Sequence, residues 1–430
     1  MSDSNSGDPA SYLQRVAPED IEPVRQDGID ERTLSEAEAI IEAVRGGGDE
    51  ALRDYGQRFG DIDEGDAMVL GPHVLEEALR DLDEERKQVL KRVSRRIEAF
   101  ARAQRESLKD LFFDIPGGVA GHRVSPVERA ACYAPGGRFP LPSSVLMTAV
   151  TARAAGVKEV WVASPNPSPE TRAAAAIAGA QGLLAVGGAQ AIAAFAFGTE
   201  SVPACDAIVG PGNRWVTAAK QRLAGLVRID MLAGPSELVV LADDSAAALT
   251  VARDLLAQAE HDVDALPILV STSQDLVDEV EAALDEELAV LGTADTARQA
   301  LTNGYAVVVE DIDQGIELCN RIAPEHLEVL CDDADAVGRQ LTHFGGLFIG
   351  SDAAEVLGDY GAGPNHTLPT GGTARRQGGL SVLNFLKVST WMRIDDRQQA
   401  SGLVDDAMAM AQMEGLEAHG RSAALRKWDD

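Results

Sequence analysis

Apolar positions recur with two periods along most of this chain. Between residues 144 and 223 short apolar runs alternate with helical patterns: helix over 144–155, strand 159–163, helix 169–180, strand 183–186, helix 190–197, strand 207–209, helix 213–223. The alternation restarts after Arg228 with strand 238–241, helix 246–260, strand 267–271, helix 276–284 and strand 306–309. It continues through helix 316–322, strand 327–330, helix 334–344 and strand 346–349. Strands spaced by helices in this way build βαβ units, so the pattern predicts an α/β fold with two mostly parallel sheets.

The flanks read differently. Residues 1–20 form a polar arm, followed by helices over 34–44 and 49–59 broken at Gly46-Gly47-Gly48. Two charged helical patterns fill 72–105, and strands are expected over 119–124 and 127–133. After Gly379 come a segment at 384–387 and a final helix at 404–426, too small for a core of its own, so this end must dock on something. The expected organisation is an arm (1–20), one α/β domain made of 21–130 and 237–378, a second from 131–236, and a C-terminal segment, 379–430.

Composition narrows the function classes. At 430 residues, 45% hydrophobic and 25% charged, the chain is globular and long enough for more than one core. Its net charge of -31 is spread along the chain, which disfavours nucleic acid and anionic membranes as partners and fits a salt-rich cytoplasm. The four cysteines show no CxxC spacing, so a reducing, cytoplasmic interior is the simpler expectation. Residues 173–199 carry no charge, but five glycines interrupt them, and helix–strand–turn–helix is a better parse than a membrane span.

The 246–260 helix ends in Gln258-Ala259-Glu260-His261-Asp262, where Gln258 and His261 share a face. A carbonyl oxygen and an imidazole side by side are two possible ligands for a divalent metal, although this run alone favours a polar helix end capped by His261 and Asp262. Glu325-His326, between a helix and a strand, offers adjacent proton carriers or a helix cap. The loop 358–372 contains Asp359 and His366, and loops this long are functional or disordered. Glu414 and His419 alone read as a solvated helix face. Three turns, Ala134-Pro135-Gly136-Gly137, Gly187-Gly188-Ala189-Gln190 and Gly210-Pro211-Gly212-Asn213, lie where strands pass into helices, the place where α/β sheets gather phosphate-bearing ligands. None is a G-x-G-x-x-G fingerprint.

Taken together, these strings resemble the histidinol dehydrogenase family from about Pro18 to Leu425. They are Tyr133 to Gly137, Gly187 to Ile192, Gly210 to Asn213, Ala233-Gly234-Pro235-Ser236-Glu237, Leu255 to Asp262, Ala323 to Glu328, Gly363 to His366 and Glu414 to His419. The resemblance implies two Rossmann-like domains with a small N- and C-terminal dimerisation arm. It also implies NAD-dependent oxidation of L-histidinol to L-histidine. Gln258, His261, Asp359 and His419 match the family's zinc ligands, and Glu325 and His326 its catalytic pair. Ser236, His366 and Glu414 match substrate contacts, which the zinc ligands and His326 join, while Tyr133, Gln190 and Asn213 match NAD contacts. The family is a homodimer whose C-terminal segment reaches into the partner's site. A zinc hydrolase using Glu325 to activate water, or a metal-stabilised binding protein, are the rival readings.

Overall fold

In the computed structural model, which describes residues 11–22, 29–136 and 140–427, two six-stranded sheets and one three-stranded sheet organise the chain. Strand Glu237–Ala242 is buried at every position. Leu238, Val240 and Ala242 pack with Val251, Ala252 and Leu255 of helix Ala248–Ala259, while Val239 and Leu241 pack on the other face with Ile316 and Ile322. A strand covered on both faces needs this unbroken apolar run. The sheet runs Gln14–Arg15, Tyr305–Val308, Leu266–Ser271, Glu237–Ala242, His326–Leu330, Gly346–Ile349, all parallel.

The second sheet runs Val69–Leu70, Gly182–Leu184, Glu159–Ala163, Arg129–Tyr133, Ala207–Val209, Arg228–Ile229, parallel except at its first pair. Its covering helix Gly188–Phe197 is buried almost throughout, which explains why 173–199 needs no charge. Among the described residues no helix is long and apolar enough to cross a membrane.

Three expectations need correction. The helices Glu31–Arg58, Pro72–Asp81 and Glu84–Glu106 share their core with the second sheet, through Ala37, Ile40, Val44, Leu75 and Ile97, and not with the sheet of 237–349 as the expected grouping had it. Periodicity identifies the apolar stripe of a helix but not the surface that takes it. The glycine triplet does break the first of these helices as expected: Gly48 is non-helical (φ 53, ψ -134) and divides Glu31–Arg58 into two helices that meet at a kink. The 384–387 segment opens a nine-residue strand, Leu386–Ile394, which pairs antiparallel with Gly118–Pro126 and, through it, Leu111–Ile115. The terminal helix is a hairpin, Ser401–Glu414 and Glu417–Ala424, broken at Gly415 (φ 72). Of the expected N-terminal arm, residues 1–10 lie outside the described residues, while 14–15 join the edge of the first sheet. Gly137 and Arg138 also lie outside them.

Candidate active site

The site forms where the amino ends of the first sheet's strands meet the carboxyl ends of the second's. Helix Ile312–Ile322 ends in Ala323, a non-glycine residue in the left-handed region (φ 55, ψ 59), and this turn swings Glu325 and His326 onto the start of strand His326–Leu330. Ser236 and Glu237 sit at the start of the neighbouring strand. Helix Ala248–Ala259 runs back from that strand's far end, so its C-terminus brings Gln258 and His261 to the same edge. The short helix Glu355–Asp359 supplies two carboxylates. A cleft of about 730 Å³ is lined by Ser236, Gln258, His261, Glu325, His326, Asp359 and His366 on this side and by Pro135, Pro211, Gly212 and Asn213 on the other.

Distances define the chemistry. His261 Nε2 lies 3.7 Å from Asp359 Oδ2, and His326 Nε2 lies 3.8 Å from Asp359 Oδ1. One donor atom each from His261, Glu355 and Asp359 fall within 4.8 Å of one another. Both amide atoms of the fully buried Gln258 lack a protein hydrogen-bond partner, as does His326 Nε2. His326 Nδ1 donates to the main-chain oxygen of Glu237 at 3.0 Å, which leaves the Nε2 lone pair free on the cleft side. His366 is oriented similarly, with Nδ1 on the Asp359 carbonyl at 3.0 Å and Nε2 3.4 Å from Ser144 Oγ.

Burial dominates the electrostatics. It pushes His326 down to about 4, so the imidazole is neutral at pH 7. Burial, with the neighbouring carboxylates Glu237 and Asp359, holds Glu325 well above the usual carboxylate range, and burial with Asp359 and Glu328 does the same to Glu355. Among the described residues the only basic side chains within 4.0 Å of the carboxylates of Glu325, Glu355 and Asp359 are histidines. So much acid without a cation is costly to desolvate, and the orphaned Gln258 oxygen points to the same need. The donor set, oxygen from Gln258 and Asp359 and nitrogen from His261, suits a divalent zinc.

The opposite wall comes from the second sheet. Asn213 caps helix Arg214–Leu223, its Oδ1 accepting from Trp215 N and Val216 N at 3.1 Å each. Gly210 (φ 116) lies against Tyr133, whose carbonyl any side chain there would strike. Tyr133 and Gln190 are buried and do not line the cleft. The Tyr133 hydroxyl accepts from Gly188 N at 3.1 Å, and the Asp61 carboxylate accepts from Gly187 N at 2.9 Å and Gln190 Nε2 at 3.3 Å. The turn at 187–190 is thus closed by Asp61, and of the three turns the one at 210–213 faces the cleft most directly.

Glu414 and His419 are not brought to this cleft within one chain: both are exposed on the terminal hairpin. Sequence reasoning missed Glu237, Glu328 and Glu355. Glu328 had a readable signal, a charge inside the apolar run Leu327 to Leu330, whereas Glu355 sits in a stretch that reads as an ordinary acidic helix start.

Residues 24–427 match the family profile described as histidinol dehydrogenase. The chain belongs to the histidinol dehydrogenase family. It is 46% identical over 390 residues to the histidinol dehydrogenase of Thermus thermophilus, covering 90% of this chain and 93% of that one. The Methanosarcina mazei histidinol dehydrogenase is 40% identical over 393 residues, covering 90% of each. The crystal structure of the histidinol dehydrogenase from Elizabethkingia anophelis superposes with a TM-score of 0.90 at 30% identity, over 97% of this chain and 99% of that one.

Proposed function

We propose that the chain oxidises L-histidinol through L-histidinal to L-histidine, passing two hydrides in turn to two molecules of NAD. The supporting observation is the meeting of a buried, neutral His326 with the Gln258, His261 and Asp359 donors at one cleft edge. Those three residues would hold zinc, with His419 of the partner subunit completing the set. Zinc, when bound, supplies a Lewis-acid anchor for the imidazole and amine of the substrate, and NAD, when bound, the hydride acceptor.

His326 takes the hydroxyl proton at Nε2 as the carbinol carbon is oxidised to the aldehyde. Glu325, once ionised, takes a proton from the water that adds to the aldehyde carbon, and its raised pKa makes it a stronger base. His326 then removes a proton from the resulting diol during the second oxidation. The balance is one alcohol, one water and two NAD giving one carboxylate, two NADH and three protons. Ser236, His366 and Glu414 of the partner subunit would contact substrate, and Tyr133, Gln190 and Asn213 would line the NAD side, Asn213 from the cleft itself and the buried pair by shaping the turn behind it.

Two copies sharing the site fits the terminal hairpin, whose Met410, Met413 and Leu416 are exposed and whose helices pack mainly on each other. A reducing cytoplasm agrees with the four free cysteines. The deciding experiment adds histidinol and NAD to the zinc-loaded protein and follows NADH absorbance. Two NADH per histidinol are expected. A metal-dependent hydrolase would form none, and that result would sink the reading.

A further inference from the structure

We propose that Glu237 is the residue that positions the Glu325–His326 pair, an inference that rests on the oxidation reading above. Glu237 does not line the cleft and is 7% exposed, so it can act only through its neighbours. It touches both members of the pair. Its main-chain oxygen holds His326 Nδ1 at 3.0 Å, and its main-chain N–H donates to Glu325 Oε2 at 2.9 Å. The carboxylate returns the second contact: Oε2 accepts from Glu325 N at 3.4 Å, and Oε1 accepts from Gly371 N at 2.8 Å.

The turn it holds would not hold itself. Ala323 is left-handed without being glycine, a conformation that persists only where the surroundings over-determine it. Pro324 follows and has no N–H, so the first donor after the strained residue is that of Glu325, the one the Glu237 carboxylate receives. The other oxygen fixes Gly371, also left-handed (φ 61), at the end of the segment that carries His366, Thr367, Leu368 and Thr370 into the cleft. One buried carboxylate therefore ties the proton-transfer pair to the loop bearing a substrate-side histidine. A carboxylate buried without a cation is unfavourable, and these two N–H groups are what the position offers in return.

The test compares the full-length, zinc-loaded parent with Glu237→Ala and Glu237→Gln. Hydrogen exchange is measured on peptides spanning Glu325 and Gly371, alongside kcat, KM for histidinol and bound zinc. Alanine should speed exchange at those two amides at least tenfold and lower kcat about 10- to 100-fold, the scale of a misplacement of roughly 1 Å. KM and zinc should stay within about twofold of the parent, and glutamine, whose single acceptor oxygen can serve only one of the two N–H groups, should give a kcat between alanine's and the parent's. Unchanged exchange, kcat within about twofold, or a loss that merely tracks lost zinc or lost folded protein overturns the proposal. If alanine prevents folding, Glu237→Asp takes its place: the charge stays, the reach is lost, and exchange at both amides should speed while kcat falls. A parent that makes no NADH from histidinol refutes the oxidation reading instead, and the exchange measurement still decides whether Glu237 anchors the two amides.

Discussion

Glu328 lies two residues beyond His326 on the same strand face and has no solvent exposure, and replacing it by glutamine should stabilise the chain at alkaline pH. One of its oxygens accepts from Glu355 N at 2.6 Å, and the other meets no N–H or hydroxyl donor, so the neighbouring Asp254 carboxylate is its one partner for a shared proton. Two carboxylates can bond only if a proton stays between them. Burial first, then the Asp254 charge, push Glu328 from 4.5 up to about 8. A folded-state pKa above the unfolded one means the stabilisation is fully present below about 4.5 and is lost as pH rises through about 8. At about 1.4 kcal/mol per pH unit that span corresponds to about 5 kcal/mol for an isolated group, and sharing one proton with Asp254 reduces the part assignable to Glu328 to roughly half. Glu328→Gln keeps an acceptor for Glu355 N and donates its amide to Asp254, so little should change at pH 5. At pH 9 the variant should resist urea better than the parent by about 2–3 kcal/mol. An equal difference at both pH values, or a less stable variant at pH 9, would refute the assignment of that proton.

Two further outcomes follow from the same structure. His261→Asn should empty the metal site, with bound zinc falling at least tenfold by elemental analysis while the fold persists, since neither hydrophobic core of the first sheet includes His261; retained zinc would remove His261 from the ligand set. Lys220 is buried in an ion pair with Asp230, and the two grip Gly210 from both sides, Lys220 Nζ donating to its carbonyl at 2.8 Å and Asp230 Oδ2 accepting from its N–H at 2.6 Å. Lys220→Met should therefore cost about 3–5 kcal/mol in denaturant unfolding by stranding Asp230, with Lys220→Met/Asp230→Asn recovering much of it, and a loss below about 1 kcal/mol would show that the pair is not what holds this turn.

How much of this was legible follows from which interactions are local. The alternating strands and helices after residue 144 are written in short-range periodicity, and so are the pairs Gln258 with His261 and Glu325 with His326, which the fold brings to one cleft. Partner choice is not local. Ile40 and Val44 mark an apolar stripe, yet nothing near them states that it faces the alanine-rich helices of the second sheet. Strand Leu386–Ile394 is nearly all exposed, and its partner lies more than two hundred residues earlier, so no burial alternation announces it. Glu355 reaches the site only because helix Glu355–Asp359 turns back on strand His326–Leu330, a tertiary event with no signature in the run Ala353-Ala354-Glu355.

The placement of the cleft departs from the usual rule for open sheets in a way that clarifies its chemistry. The second sheet obeys the rule, offering its carboxyl edge beside central strand Arg129–Tyr133, where the order of strands reverses. The first sheet offers its amino edge, and at that edge a returning helix presents its C-terminus, the end whose free carbonyls carry partial negative charge. Cation donors such as Gln258 and His261 gain from that end. Across the cleft, helix Arg214–Leu223 presents its N-terminus; Asn213 caps two of its N–H groups, and the partial positive charge of that end still favours an anion such as a dinucleotide phosphate. Opposed edges therefore give one cleft two walls of opposite local polarity, and two sheets sharing a carboxyl edge would have given two anion walls and no natural seat for a metal.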